Sequence, residues 1–279
     1  MTKNALMRML CFVMAAIFFV PQFGEAAKKE PVTEKIVFVP HDGRPISSKQ
    51  TADVVQRVGY DVVVPPPELL GSREDWGHPD ELWTWLDEHL GQPGVKAAVI
   101  SSDAMIYGSL VGSRKHSFTR AQVLERAARF DALQRSHPKT PLYVFGSIMR
   151  TPRTGEASGH EEPEYYRRYG ADIFRYTVLR DKEEVEGLTR RERKEYDFLG
   201  RLIPKEALDD WMGRREKNYV VNEYLIDLLR KRGTFRYLTL GRDDNAPFSQ
   251  THLESRHLTE AGADLGKSRF QTMAGIDEI

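Results

Sequence analysis

The sequence predicts an α/β fold, a mostly parallel sheet with flanking helices. Three observations predict it. Short β-branched apolar runs recur along the chain, such as KIVFVP at 35–40 and VKAAVIS at 95–101. Their hydropathy is continuous rather than alternating, as in strands covered on both faces. Helical stretches with capping signals separate them, which is the order of a repeated β-α-β chain. A doubly wound, Rossmann-like open sheet is the favoured architecture. A partial (β/α) barrel starts from the same units and stays open as the alternative.

The chain opens on a leader. Lys3 and Arg8 precede Met9–Val20, an uncharged apolar run of twelve residues that Pro21 and the small Gly24 and Ala26 follow. That pattern predicts a secretory signal peptide over 1–26, hence a secreted or periplasmic protein. Twelve helical residues rise about 18 Å against a hydrocarbon core of about 30 Å, so no stable membrane span is expected after cleavage. Cys11, the one cysteine, would leave with the leader. The mature chain would then carry no disulfide, thiolate ligand or thiol nucleophile. Its length of about 250 residues suffices for a core without covalent staples. The whole chain balances 41 basic against 41 acidic side chains, so no bulk field favours nucleic acid.

Residues 27–279 read as a single α/β domain. Lys35 to Pro40 is the first strand. Ser47-x-x-Gln50 has the spacing of a capping box and opens a helix that Gly59 closes. A strand from Asp61 is stopped by Pro65-Pro66-Pro67. Glu81 to Leu90 is helical with Pro79 near its first turn, and Val95 to Ser101 is the third strand. Thr119-x-x-Gln122 caps a longer helix whose Val123, Ala127 and Phe130 share a face. Pro141 to Ile148 makes the fourth strand. Residues 155–232 then read as a helical insertion whose dense charge at Arg180 to Glu195 is that of a solvated face. Phe235 to Leu240 returns to strand, Pro247 starts a helix, and Arg269 to Met273 is a last strand. Ile279 falls where the next helix is due, so a C-terminally shortened chain is expected.

Right-handed crossovers bring the carboxyl ends of parallel strands to one edge, where ligands of such folds bind. Each strand end here is polar. Asp42, Asp103, Asp243 and Asp244 are the candidate catalytic carboxylates, as general acid and base. Arg44, Arg150, Arg242 and Asn245 are candidates to bind or orient a ligand, with Asp277 and Glu278 at the last strand end. A divalent cation joining the aspartates is a further reading, with no other cofactor identified. His41 and His252 are candidate bases or metal ligands. The competing explanation is local, since Asp and Asn after strands often cap helices or stabilise turns. Trp76, Trp83, Trp85 and Trp211 are read as packing more than sugar stacking. Ala261-x4-Gly266-Lys267-Ser268 resembles a loosened phosphate loop, but it leads towards a strand instead of opening a helix.

Several segments carry a resemblance. They are KIVFVPHDGRPISSKQ at 35–50, VVVPPPELLG at 62–71, SSDAMIYGSLVGSR at 101–114, RREKNYVVN at 214–222, GRDDNAPFSQ at 241–250 and AGIDEI at 274–279. Together they resemble a bacterial family known as domain of unknown function (DUF) 4127. The resemblance implies a chain about twice this long, with a further α/β half, and so agrees with the expected shortening. It also implies two acidic residues before Arg44, where this chain has Asp42 and then Gly43. Finally it draws attention to Asn218 and Asn222, whose spacing of four puts both amides on one helix face to bind a polar ligand or an incoming loop. The expected function is a carboxylate-dependent hydrolase acting on an envelope glycan. The alternative is a non-enzymatic envelope protein that binds a sugar or anion.

Overall fold

The computed structural model describes residues 34–156, 159–242 and 244–276. The leader reading over 1–26, together with Asp243, Asp277 and Glu278, lies outside the described residues.

β1 (Lys35–Val39), β2 (Asp61–Val63), β3 (Val95–Ser101), β4 (Leu142–Ile148), β5 (Tyr237–Arg242) and β6 (Phe270–Ala274) form one sheet. Its order is β2-β1-β3-β4-β5-β6 and every neighbouring pair is parallel. β2 and β6 lie at opposite edges, so the sheet is open and the barrel alternative falls away. α1 (Lys49–Arg57) joins β1 to β2 and α2 (Pro79–Leu90) joins β2 to β3. α3 (Ser102–Tyr107), α4 (Leu110–Lys115) and α5 (Arg120–Ser136) lead to β4. α6 (Tyr166–Val185), α7 (Arg190–Leu202) and α8 (Lys205–Arg232) lead to β5, and α9 (Gln250–Ala261) precedes β6. No described helix is long and apolar enough to cross a membrane.

The pleat sorts the apolar side chains by face. Val37, Val39, Ala98, Ile100, Val144, Leu238 and Leu240 are buried with α2, α5 and α8 in the main core. Phe38, Val62 and Phe145 pack instead with Ala52 and Val55 of α1. Handedness explains the division. The step from β1 to β2 runs one way along the sheet and the later steps run the other way, so right-handed crossovers put α1 on one face and α2, α5, α8 and α9 on the opposite one. The far face is thinly covered beyond β1, and Tyr143 of β4 remains 37% exposed there.

The stretch 155–232 divides in two. Val221, Leu225, Ile226 and Leu229 of α8 belong to the main core, so that half of α8 is the ordinary crossover helix into β5. Trp211, at its other end, packs with Tyr166, Ile173 and Ile203 in a satellite core built with α6.

Thr119 and Gln122 form both arms of the expected capping box. Ser47 and Gln50 do not, because Ser48 takes the cap position and its hydroxyl donates to the Arg44 carbonyl at 3.0 Å. Asp181, inside the charged run read as solvated, is wholly buried. Helices α3 and α4 fill a stretch to which the sequence assigned no element. Ser101 and Ser109 cap them by accepting from the Ala104 and Gly112 amides, and Gly108 at φ 95° turns the chain between them. β3 therefore passes into α3 with no loop between. The stretch Ala261 to Ser268 leaves α9 and enters β6, as its rejection as a phosphate loop required.

Candidate active site

The reversal of strand order between β1 and β3 is the topological switch point of the sheet, where open α/β folds bind ligands. β1 delivers His41 and Asp42 there, and β3 delivers Ser101, Ser102 and Asp103. All five are buried.

His41 Nδ1 lies 3.3 Å from Asp103 Oδ2 and 3.0 Å from Ser101 Oγ. The other Asp103 oxygen accepts from Ser147 Oγ of β4 at 3.0 Å. The His41 ring stands edge-on to Phe145, with centroids 4.7 Å apart. Its Nε2 is buried and has no hydrogen-bond partner. Buried polar atoms are normally satisfied, so this one asks for an explanation. The carboxylate beside Nδ1 favours the tautomer protonated there, which leaves a lone pair on Nε2. Tyr107 of α3 is also buried; desolvation, and after it the Asp103 charge, pushes its phenol well above the usual value, so the hydroxyl stays protonated.

Asp42 has a different neighbourhood. Arg44 reaches it with Nε at 3.0 and 2.9 Å, Nη2 at 2.8 Å and its backbone amide at 3.1 Å. Both carboxylate oxygens are thus occupied by one guanidinium, and Asp42 is wholly buried. A Cβ built on Gly43 would meet only Gly71 O at 3.5 Å and Leu70 Cβ at 3.6 Å, which are ordinary contacts. A first side-chain carbon at position 43, where the resemblance leads one to expect an acidic residue, therefore meets no clash.

Asp244 at the β5 end accepts from the Thr151 amide at 2.9 Å, the Ala246 amide at 3.3 Å and Ser249 Oγ at 3.3 Å. Those are turn and loop contacts. Asn245 beside it is exposed and Arg242 is half-buried, both at the rim. Arg150 at the β4 end meets Glu162 Oε1 at 2.7 Å and Glu161 Oε2 at 3.0 Å. Arg114 and Arg73 converge on the same Glu161. Burial works to raise the Glu161 carboxyl, but Arg114, Arg150 and Arg73 outweigh it and the net shift is downward. At the fully buried Glu162 desolvation wins over Arg114 and Arg150, and the shift is upward.

The two asparagines of α8 face inward, as their spacing implies. Asn218 accepts from His116 Nε2 at 2.8 Å and donates to Ser113 O at 2.7 Å, fastening α4. Asn222 donates to Ser147 O at 3.1 Å, steadying the residue whose hydroxyl holds Asp103. His252 is spoken for by Asp181, at 2.6 Å. Among the described residues no group of three His, Cys, Asp or Glu is placed to hold a metal ion.

The structure thus puts His41 against Asp103, leaves Asp42 on Arg44 and ties Asp244 to the Thr151 and Ala246 amides; Asp243 lies outside the described residues. Sequence reasoning placed Ser101 at the polar end of β3 without giving it a role, and missed Ser147 and Tyr107. The available signal was Ser147 standing two residues after Phe145 on β4, hence on the same sheet face, just beyond the register partner of Ser101.

The family model described as protein of unknown function (DUF4127) matches residues 36–279. The chain belongs to the DUF4127 family. The match takes in every described strand save Lys35, and all of the residues around the crevice. Comparison with curated proteins gave no match. The switch point between β1 and β3 lies within the matched residues, and the family description assigns it no chemistry.

Proposed function

We propose that this chain is an exported hydrolase acting on an envelope glycan, with His41 as its general base and Asp103 as the group that orients it. The observation that carries this reading is the unpartnered His41 Nε2 at a strand's carboxyl end, with Nδ1 hydrogen-bonded to Ser101 Oγ and the Asp103 carboxylate 3.3 Å from it. A lone pair so placed takes a proton from an attacking water and returns it to the leaving hydroxyl. Asp103 then balances the charge on the imidazolium. Ser147 and, behind it, Asn222 keep that carboxylate in position. Asp42, saturated by Arg44, holds the guanidinium towards the crevice rather than moving a proton itself. Arg242 and Asn245 add donors suited to a hydroxyl-rich ligand. The N-terminal leader supports the envelope setting.

The test is hydrolysis of envelope polysaccharides by purified protein. His41→Gln is expected to lower kcat by about 100-fold or more and Asp103→Asn by a similar factor, with Asp244→Asn much milder. Full turnover by His41→Gln would sink the reading. A second reading, a glycan binder without catalysis, draws on Asp42 and Asp244 both being fully engaged. Calorimetric binding of an oligosaccharide with no product formed would favour it.

A further inference from the structure

We propose that the opposite, amino-terminal edge of the sheet carries a second site, for a multivalent anion of the phosphate type. A cleft of about 700 Å³ opens there. The chain builds it from the segments that enter three neighbouring strands. Lys139 precedes β4, Arg236 precedes β5 and Arg269 precedes β6, while Arg135 and Arg232 close the ends of α5 and α8. The buried Phe235 lies between them in the lining, and Gly233 at φ 62° turns the chain sharply out of α8.

The charge count decides the chemistry. Five cationic side chains line the cleft with one carboxylate, Asp131. Asp131 is already shared by Arg135, by Arg232 at 2.8 Å and by the Thr234 hydroxyl at 3.3 Å. The ordinary explanation of basic residues here is compensation of helix ends. Two helix C-termini supply about one negative charge between them, and Asp131 supplies another. Asp264, already paired with Arg230, lies within Coulombic reach of Arg269, so roughly two to three positive charges remain uncompensated. Arg269 donates to the Leu229 carbonyl at 2.7 Å, which fixes it against α8. Lys139 and Arg236 are exposed and pair with no carboxylate among the described residues. Like charges are not gathered in one concavity without cost, and an anion of several charges removes that cost. Guanidinium forks match tetrahedral phosphate oxygens, and the volume is that of an ordinary small-ligand site. A free oligophosphate and a phosphate-bearing polymer share this chemistry. The site is independent of the crevice at β1 and β3, being at the other end of the strands.

The experiment is calorimetric titration of the purified full chain with sodium tripolyphosphate, beside Lys139→Ala/Arg236→Ala and His41→Gln. Neither Lys139 nor Arg236 holds another element in place, so the double variant should keep its circular dichroism and melting temperature. Saturable binding is expected, weakened about 10-fold or more in the double variant, unchanged in His41→Gln, and weakened by raising salt from about 0.05 to about 0.3 M. Competition by a phosphorylated polysaccharide would assign the site to a polymer, and binding without such competition to free oligophosphate. Absence of saturable binding, equal affinity for inorganic monophosphate, or unchanged affinity in the folded double variant overturns the proposal.

Discussion

His116 illustrates how much a single buried side chain contributes. It is stacked between Tyr107 and Phe118, wholly buried, with Nε2 on Asn218. Burial holds its pKa down at about 4, the Asn218 hydrogen bond pulling weakly the other way. The unfolded chain takes up a proton near pH 6.5 and the folded one does not, so stability falls as pH drops from about 6.5 towards 4. By pH 5 the loss amounts to about 2 kcal/mol. Urea unfolding at pH 7 and pH 5 should show it, and His116→Gln, which keeps a donor for Asn218, should flatten the slope. An equally steep slope in that variant would assign the acid sensitivity elsewhere. The sequence showed Asn218 and Asn222 on one face because a spacing of four is local geometry. It could not show that His41 finds Asp103, since that contact exists only once β1 and β3 lie side by side.

At the level of elements, β4 and α3 meet through a glycine. A Cβ on Gly146 would fall 2.1 Å from Ser102 Oγ, whereas Ser102 Cβ is 3.5 Å away. Gly146→Ala is therefore expected to destabilise by about 1 to 3 kcal/mol through overpacking. Adding Ser102→Ala should restore a good part of it, measurable by denaturant unfolding of both variants and the pair. Strictly additive losses would show that the clash is not the cause. The capping box of α5 offers a second check, with Thr119→Ala costing about 1 kcal/mol. That box was legible because Thr119 and Gln122 stand just ahead of a periodic apolar run. The serine caps of α3 and α4 were not, because SSDAMIYGSLVGSR is almost all buried and has no polar face to reveal a helical period. Ser47 and Gln50 mislead for the converse reason: the spacing is present, but Ser48 takes the cap position and its hydroxyl turns back to the Arg44 carbonyl.

For the molecule as a whole, the parallel sheet was legible from continuous apolar strands separated by helices, yet strand order was not, and strand order is what locates the crevice. Joining the layers is Arg215 of α8, which is 1% exposed. It holds Glu254 of α9 at 2.9 and 2.7 Å and the carbonyls of Met149 and Arg150 at 2.7 and 2.8 Å. Arg215→Met leaves a buried carboxylate unpaired and should cost about 3 to 5 kcal/mol, while Arg215→Met/Glu254→Met should recover much of it. A double variant no more stable than the single one would mean that the carbonyl bonds, not the ion pair, dominate. The direct passage of β3 into α3 has its own outcome. Ser101 and Asp103 are anchored to the sheet on one side and a helix on the other, so this wall of the crevice is a fixed jaw. In the proposed site any movement is therefore expected on the β1 side, where His41 to Arg44 run in bends rather than a helix.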